Sequence, residues 1–156
     1  MQIATWNVNS IKVRLNHVLN WLEQTQTTAL VMQETKTVDD AFPKDDFEAA
    51  GFEVLFCGQK TYNGVALAVR KSQVSAVDDV VFNIPGYPDE QKRLIAATIT
   101  TKTGEKVRLA GAYFPNGQEV GSDKYFYKLE WIAALTHWVR DELGREKNFV
   151  LGGDFN

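Results

Sequence analysis

Phe149-Val150-Leu151-Gly152-Gly153-Asp154-Phe155-Asn156 joins an apolar run to two glycines, a carboxylate and an amide. The apolar run reads as a buried strand, which delivers Asp154 and Asn156 to a sheet edge. A glycine-flanked acid at a strand end is a common way to build a metal or phosphate site. The motif lies at the last residues of the sequence. Residues 1–156 are therefore expected to be the N-terminal part of a single, longer enzyme domain.

Working outward, 156 residues with 44% hydrophobic content suffice for one domain with a real core. Charged residues make up 24% and form no block of like sign. No apolar run is long enough to span a membrane, and the start lacks the pattern of a secretory leader. Cys57 is the single cysteine, so no intrachain disulfide forms and a cytoplasmic location is the default. The net charge of −3 argues against a module that holds nucleic acid by bulk charge alone. Any nucleic-acid contact must be local or must use a metal to offset the acids.

The chain alternates strands and helices. Residues 2–8 read as a strand, and Asn9 or Ser10 caps the helix that follows. Ile11, Leu15, Val18, Leu19 and Leu22 share one face of that helix. Ala29 to Met32 is a buried strand ending at Gln33-Glu34-Thr35. Pro43 opens a short helix that Gly51 stops. Residues 52–56 and 64–69 read as paired strands, and 76–82 as another. Residues 94–100 and 107–114 read as a hairpin turning at Thr103-Gly104. Asp123 is expected to cap a long helix whose inner side carries Phe126, Leu129, Ile132, Ala133 and Val139. The class is α/β, with helices on one face of a mixed sheet. Too little chain is expected to remain for a second sheet with its own helices. An uncovered apolar sheet face and poor solubility follow from that count.

Polar groups gather where strands end: Asn7, Glu34, Tyr113, and Asp154 with Asn156. Ends of neighbouring strands converge in open sheets, which is how such sheets build sites. Two carboxylates with amides nearby make an oxygen donor set for a hard cation such as Mg²⁺. Taken singly, each has an ordinary reading. Glu34 is then a strand-exit acid, Asn7 a turn residue, Tyr113 a core aromatic and the Gly-Asp-Phe-Asn stretch a turn.

Together and in this order, the segments resemble one family. They are Trp6-Asn7-Val8-Asn9, Gln33-Glu34-Thr35-Lys36, Gly64-Val65-Ala66-Leu67, Arg93-Leu94-Ile95, Tyr113-Phe114-Pro115-Asn116-Gly117 and Gly153-Asp154-Phe155-Asn156. The chain resembles the exonuclease III and AP endonuclease branch of the endonuclease/exonuclease/phosphatase superfamily. The resemblance implies part of a four-layer α/β-sandwich of the DNase I-like type. It implies hydrolysis of a DNA phosphodiester by water with Mg²⁺ or Mn²⁺: abasic-site incision, 3′-end processing and 3′→5′ exonuclease action.

By the same resemblance, Glu34 is the principal metal carboxylate and Asn7 supports the metal and the attacked phosphate. Tyr113 contacts the scissile phosphate, Asp154 handles protons, and Asn156 holds that acid and the transition-state oxygens. Asn7, Glu34, Asp154 and Asn156 form the implied metal environment. Lys36, Lys60, Tyr62, Asn63, Arg93, Asn116 and Lys124 are the candidate DNA contacts, on duplex DNA with abasic sites or damaged 3′ ends. A monomer is implied. The family's further aspartate and its Ser-Asp-His have no counterpart here, and His17 and His137 read as helix-surface residues. The 156-residue chain alone is therefore expected to be inactive or nearly so. Two other readings stand beside this one. A phosphatase or phospholipase shares the Glu and Gly-Asp-x-Asn pieces, and a non-catalytic remnant keeps the fold without needing metal.

Overall fold

β1 (Ile3–Asn7) leads into α1 (Ile11–Gln24), which returns the chain to β2 (Ala29–Gln33), parallel to β1. The structure, a computed structural model, describes residues 1–156. α1 starts at the expected cap: the Ser10 hydroxyl accepts from the Val13 N–H and satisfies a free donor of the first turn. α2 (Lys44–Ala49) follows Pro43. β3 (Phe52–Cys57) and β4 (Val65–Arg70) then pair antiparallel, as anticipated. The first sheet has the order β1-β2-β4-β3.

A second sheet of four strands follows, which corrects the expectation that too little chain remained for one. β5 (Val74–Phe82), β6 (Leu94–Thr101) and β7 (Lys106–Tyr113) run antiparallel, and α3 (Asp123–Arg145) carries the chain to β8 (Phe149–Asp154), parallel to β7. The strands are short enough for both sheets to fit. Which strands share a sheet is a matter of long-range pairing that local pattern does not encode.

Period-two alternation then builds four layers. In β2, Leu30 and Met32 point toward α1 and α2, while Ala29 and Val31 point into the gap between the sheets. In β4, Ala66 and Ala68 lie under the helices, and Val65, Leu67 and Val69 face the gap. β6 repeats the pattern: Ile95, Ala97 and Ile99 enter the gap, and Leu94 and Ala96 lie under α3. The layers are thus helix, sheet, sheet, helix. Helices cover the outer faces of both sheets, so the uncovered apolar face anticipated from sequence is not found.

α3 departs from its expected orientation. Its cap is Ser122, whose hydroxyl accepts from the Tyr125 N–H, and Asp123 is the first helical residue. The buried face carries Trp131, Leu135, Trp138 and Glu142; Ile132 and Val139 of the expected inner set pack half-buried beside it, whereas Phe126, Leu129 and Ala133 are exposed. The helix has apolar residues on opposite sides, and the tryptophans win because they bury the larger area. Glu142 is admitted to that face by Arg108 of β7, whose Nε donates to its Oε2 at 2.6 Å. No helix is long and apolar enough to cross a membrane.

Candidate active site

Both parallel strand pairs terminate at the site. Asn7 is the register partner of Gln33, so β1 and β2 end together and present Asn7 and Glu34. Tyr113 is the partner of Asp154, so β7 and β8 end together and present those two. β1 and β8 pack against each other and bring the two ends side by side.

The Asn7 side chain joins them. Its Nδ2 donates to Glu34 Oε2 at 2.6 Å and to Asp154 Oδ2 at 2.8 Å. One amide thereby ties an acid of the first sheet to an acid of the second. Sharing a single donor nitrogen holds the two oxygens close, where like charges repel. A hard cation offsets that repulsion, and oxygen donors of this kind suit Mg²⁺. Two carboxylates supply few protein ligands, which fits an ion that keeps several waters, as Mg²⁺ does.

The structure shows which atoms of three predicted residues make the contacts. The Asn7 Oδ1 accepts the Asn9 N–H at 3.0 Å, so this amide bridges acids and its oxygen stays in the local turn. Asn156 holds Asp154 through its backbone N–H, 3.0 Å from Oδ1, while its side chain donates to the Phe114 carbonyl at 3.4 Å. Lys36 donates to Asn9 Oδ1 at 2.6 Å and lies 3.5 Å from Glu34 Oε1, so its ammonium belongs to the acid network. Asn9, Glu34, Lys36, Asn63 and Asn156 all have positive φ between 41° and 54°. Left-handed backbone at non-glycine residues is unfavourable and concentrates at functional sites.

Tyr62, Asn63, Arg93, Asn116 and Lys124 line a cavity of about 370 Å³ that shares Tyr113 as a wall. Lys60 is exposed in the same loop as Tyr62 but is not part of that wall. Gln59, Gln91 and Tyr127 also line it and were missed. They come from separate segments and carry no motif; only the loop position of the two amides hinted at a site. A larger cavity of about 800 Å³ opens between β5 and α3 over the Arg108–Glu142 pair and holds no residue of the acid pair. His137 lies at its rim, largely exposed, and His17 is exposed on α1, as expected of both.

Burial, then the neighbouring Glu34 carboxylate, push the Tyr113 phenol above its ordinary value, with Arg93 opposing. Burial and the hydrogen bond to Asp89 push Tyr127 up as well. Both phenols are thus protonated donors across the physiological range. The folded state holds these protons more tightly than the unfolded state, where tyrosine titrates near about pH 10. Their contribution to stability is complete below that value and is lost as pH rises through the folded values. Tyr127→Phe is expected to reduce the alkaline loss, read as the drop in urea midpoint between about pH 8 and about pH 11. Equal drops in variant and wild type would contradict this.

Residues 4–156 match the family model described as Endonuclease/Exonuclease/phosphatase family. The chain belongs to that family. Among its relatives is exodeoxyribonuclease III of Haemophilus influenzae, 29% identical over 161 residues, which span 100% of this chain and 57% of that protein. The 3′-5′ exonuclease NExo of Neisseria meningitidis superposes with a TM-score of 0.90 at 45% identity, covering 100% of this chain and 58% of that one. An AP endonuclease from Archaeoglobus fulgidus gives 0.86 at 36% identity, covering 99% and 57%. This family member thus has the DNase I-like fold and stands among the exonucleases and AP endonucleases, the branch its motifs resembled. It spans a little over half the length of these relatives.

Proposed function

We propose that this chain carries the acid pair and the phosphate-contacting wall of a DNA-repair phosphodiesterase. The observation that carries the proposal is the Asn7 amide, which bonds Glu34 and Asp154 at once. Glu34 and Asp154 would hold Mg²⁺ or Mn²⁺, which supplies polarisation of a phosphoryl oxygen and stabilisation of the leaving alkoxide. Asp154, held on one oxygen by Asn7 and on the other by the Asn156 N–H, would accept a proton from the attacking water. Tyr113, kept protonated, donates to a phosphate oxygen, and donors fixed in advance cost little reorganisation.

The substrate proposed is duplex DNA with abasic sites or damaged 3′ ends. Relatives named as a 3′-5′ exonuclease and as an AP endonuclease support it. A further structure of the Neisseria enzyme is described as a 3′ phosphatase bound to a product DNA hairpin. With a net charge of −3, affinity for DNA must come from local cations. Arg93 and Lys124 line the cavity beside Tyr113 and serve this purpose. A cytoplasmic monomer is proposed.

Mn²⁺ titrated into the chain is expected to broaden the NMR amide signals of Asn7, Glu34 and Asp154 first. Glu34→Ala should abolish that order. Broadening that begins elsewhere, or that survives Glu34→Ala, sinks the metal assignment. Abasic duplex against an inositol phosphate, each with Mg²⁺, then tests the substrate class in a protein of the relatives' full length.

A further inference from the structure

Arg93 is a buried cation without a counter-ion. It is 8% exposed, and no carboxylate forms an ion pair with it. A buried charge in that position is costly unless other groups hold it. Its Nε donates to Gln91 Oε1 at 2.9 Å and its Nη1 to the Tyr113 carbonyl at 3.1 Å. Its guanidinium carbon lies 4.9 Å from the Tyr113 ring centre and 5.8 Å from that of Tyr127. Two aromatic faces and two neutral acceptors therefore hold the charge.

One residue fixes most of that cage. The Asp89 Oδ2 accepts the Tyr127 hydroxyl at 2.6 Å, and its Oδ1 accepts the Gln91 N–H at 2.9 Å. Its backbone carbonyl accepts from Asn83 Nδ2 at 3.1 Å, and the Asn83 Oδ1 accepts the Arg93 N–H at 3.1 Å. Tyr127 sits on α3, whereas Asp89 lies in the connection between β5 and β6. The charge-assisted bond between them joins two elements distant in sequence.

We propose that Asp89 and Tyr127 are a positioning pair that sets the orientation of the Arg93 guanidinium in the cavity beside Tyr113. The ligand group this presents Arg93 to is a DNA phosphodiester, a part that rests on the function proposed above. A planar guanidinium recognises phosphate oxygens only in a defined orientation, so its direction matters as much as its charge. Asp89 accepts from Tyr127 and Gln91 and makes no ion pair with Arg93. The cation stays available to an incoming anion.

The test is an NMR measurement on the chain, following the Arg93 Nε–H signal, assigned by its loss in Arg93→Lys. In wild type that proton is expected to exchange slowly and to carry the ring-current shift of two tyrosines. Tyr127→Phe keeps the ring and removes the bond to Asp89. It should move the signal toward the free-arginine position and abolish slow exchange, with the amide signals of β6 and β7 unchanged. Asp89→Asn puts an NH2 group in place of one of the two accepting oxygens and should move the signal part of the way toward its Tyr127→Phe position. An Arg93 signal unmoved in both Tyr127→Phe and Tyr127→Leu would overturn the proposal, because Gln91 and Tyr113 alone would then hold the cation. Dimethyl phosphate is the probe for the ligand. A shift of the wild-type signal on its addition supports phosphate recognition. No shift, with Tyr127→Phe still freeing the guanidinium, keeps the positioning pair and removes the phosphate role of Arg93.

Discussion

Gly153→Ala is expected to destabilise the chain by about 4 kcal/mol and to lower its melting temperature by about 10 °C. A methyl carbon at Gly153 would fall on the carbonyl oxygen of Ala112, well inside contact distance, and 2.9 Å from the carbon of that carbonyl. Ala112 is the register partner of Gly153 in the β7–β8 ladder. The obstacle is therefore backbone, which cannot swing aside as a side chain would. Relief requires breaking the ladder one residue before Asp154, so the acid pair should come apart as well. Gly144→Ala is the control. A methyl group there meets nothing, and the position is helical. That change should stabilise by about 0.5–1 kcal/mol. Thermal melts of both variants decide the matter: equal and small shifts would show that the β7–β8 ladder yields easily.

Arg108→Leu is expected to cost about 3–5 kcal/mol. Arg108 and Glu142 side chains are each 4% exposed, and their 2.6 Å contact ties β7 to α3. The Nη1 of Arg108 also donates to the Asp79 carbonyl at 2.6 Å and to Thr98 Oγ1 at 3.3 Å. Asp79 sits in the irregular stretch of β5 with φ of 50°, so the arginine caps a carbonyl that strand pairing leaves free. Leucine would leave Glu142 buried with Arg145 as its one ionic partner and the Asp79 carbonyl bare. The loss comes from leaving a buried charge with one partner fewer and the Asp79 carbonyl uncapped, not from the attraction itself. Replacing both residues, Arg108→Leu with Glu142→Leu, should therefore recover the part due to the buried charge and leave about 1–3 kcal/mol for the bare Asp79 carbonyl. Urea unfolding of the single and double variants gives the answer, and a double variant weaker than the single would refute this account.

The strand-end cluster of polar residues was legible because it obeys a local rule. Asn7, Glu34, Tyr113 and Asp154 are polar residues at or just past the ends of apolar runs, and parallel pairing sets such ends beside one another. The six strand pairings were less legible. Hairpin β6–β7 could be read from its turn, but nothing local says that β5 and β8 flank it and separate it from the first sheet. α3 was read only in part: Ile132 and Val139 do face the core, but Phe126, Leu129 and Ala133 repeat at helical spacing just as Trp131, Leu135 and Trp138 do. Glu142 gave no sign that Arg108, 34 residues earlier, would admit it to the core. Tyr127 was invisible for a similar reason: its partner Asp89 lies 38 residues away in a loop without motif.

Gly111 and Gly152 are register partners on β7 and β8, and both face Val31 of β2. A methyl carbon on Gly111 would come 2.8 Å from Val31 Cγ1, and one on Gly152 would come 3.4 Å from Val31 Cγ2. The bare backbone at Gly111 lets the two sheets close to a separation that a side chain there would forbid, and Gly152 leaves little room beside it. Gly111 lies two residues before Tyr113, Gly152 two before Asp154, and Val31 three before Glu34. That hydrogen-sized clearance acts as the gauge block of the site: it sets whether one asparagine amide can span from sheet to sheet. A shim of a single carbon, inserted in a wholly apolar place, would throw the acids out of alignment without touching either of them.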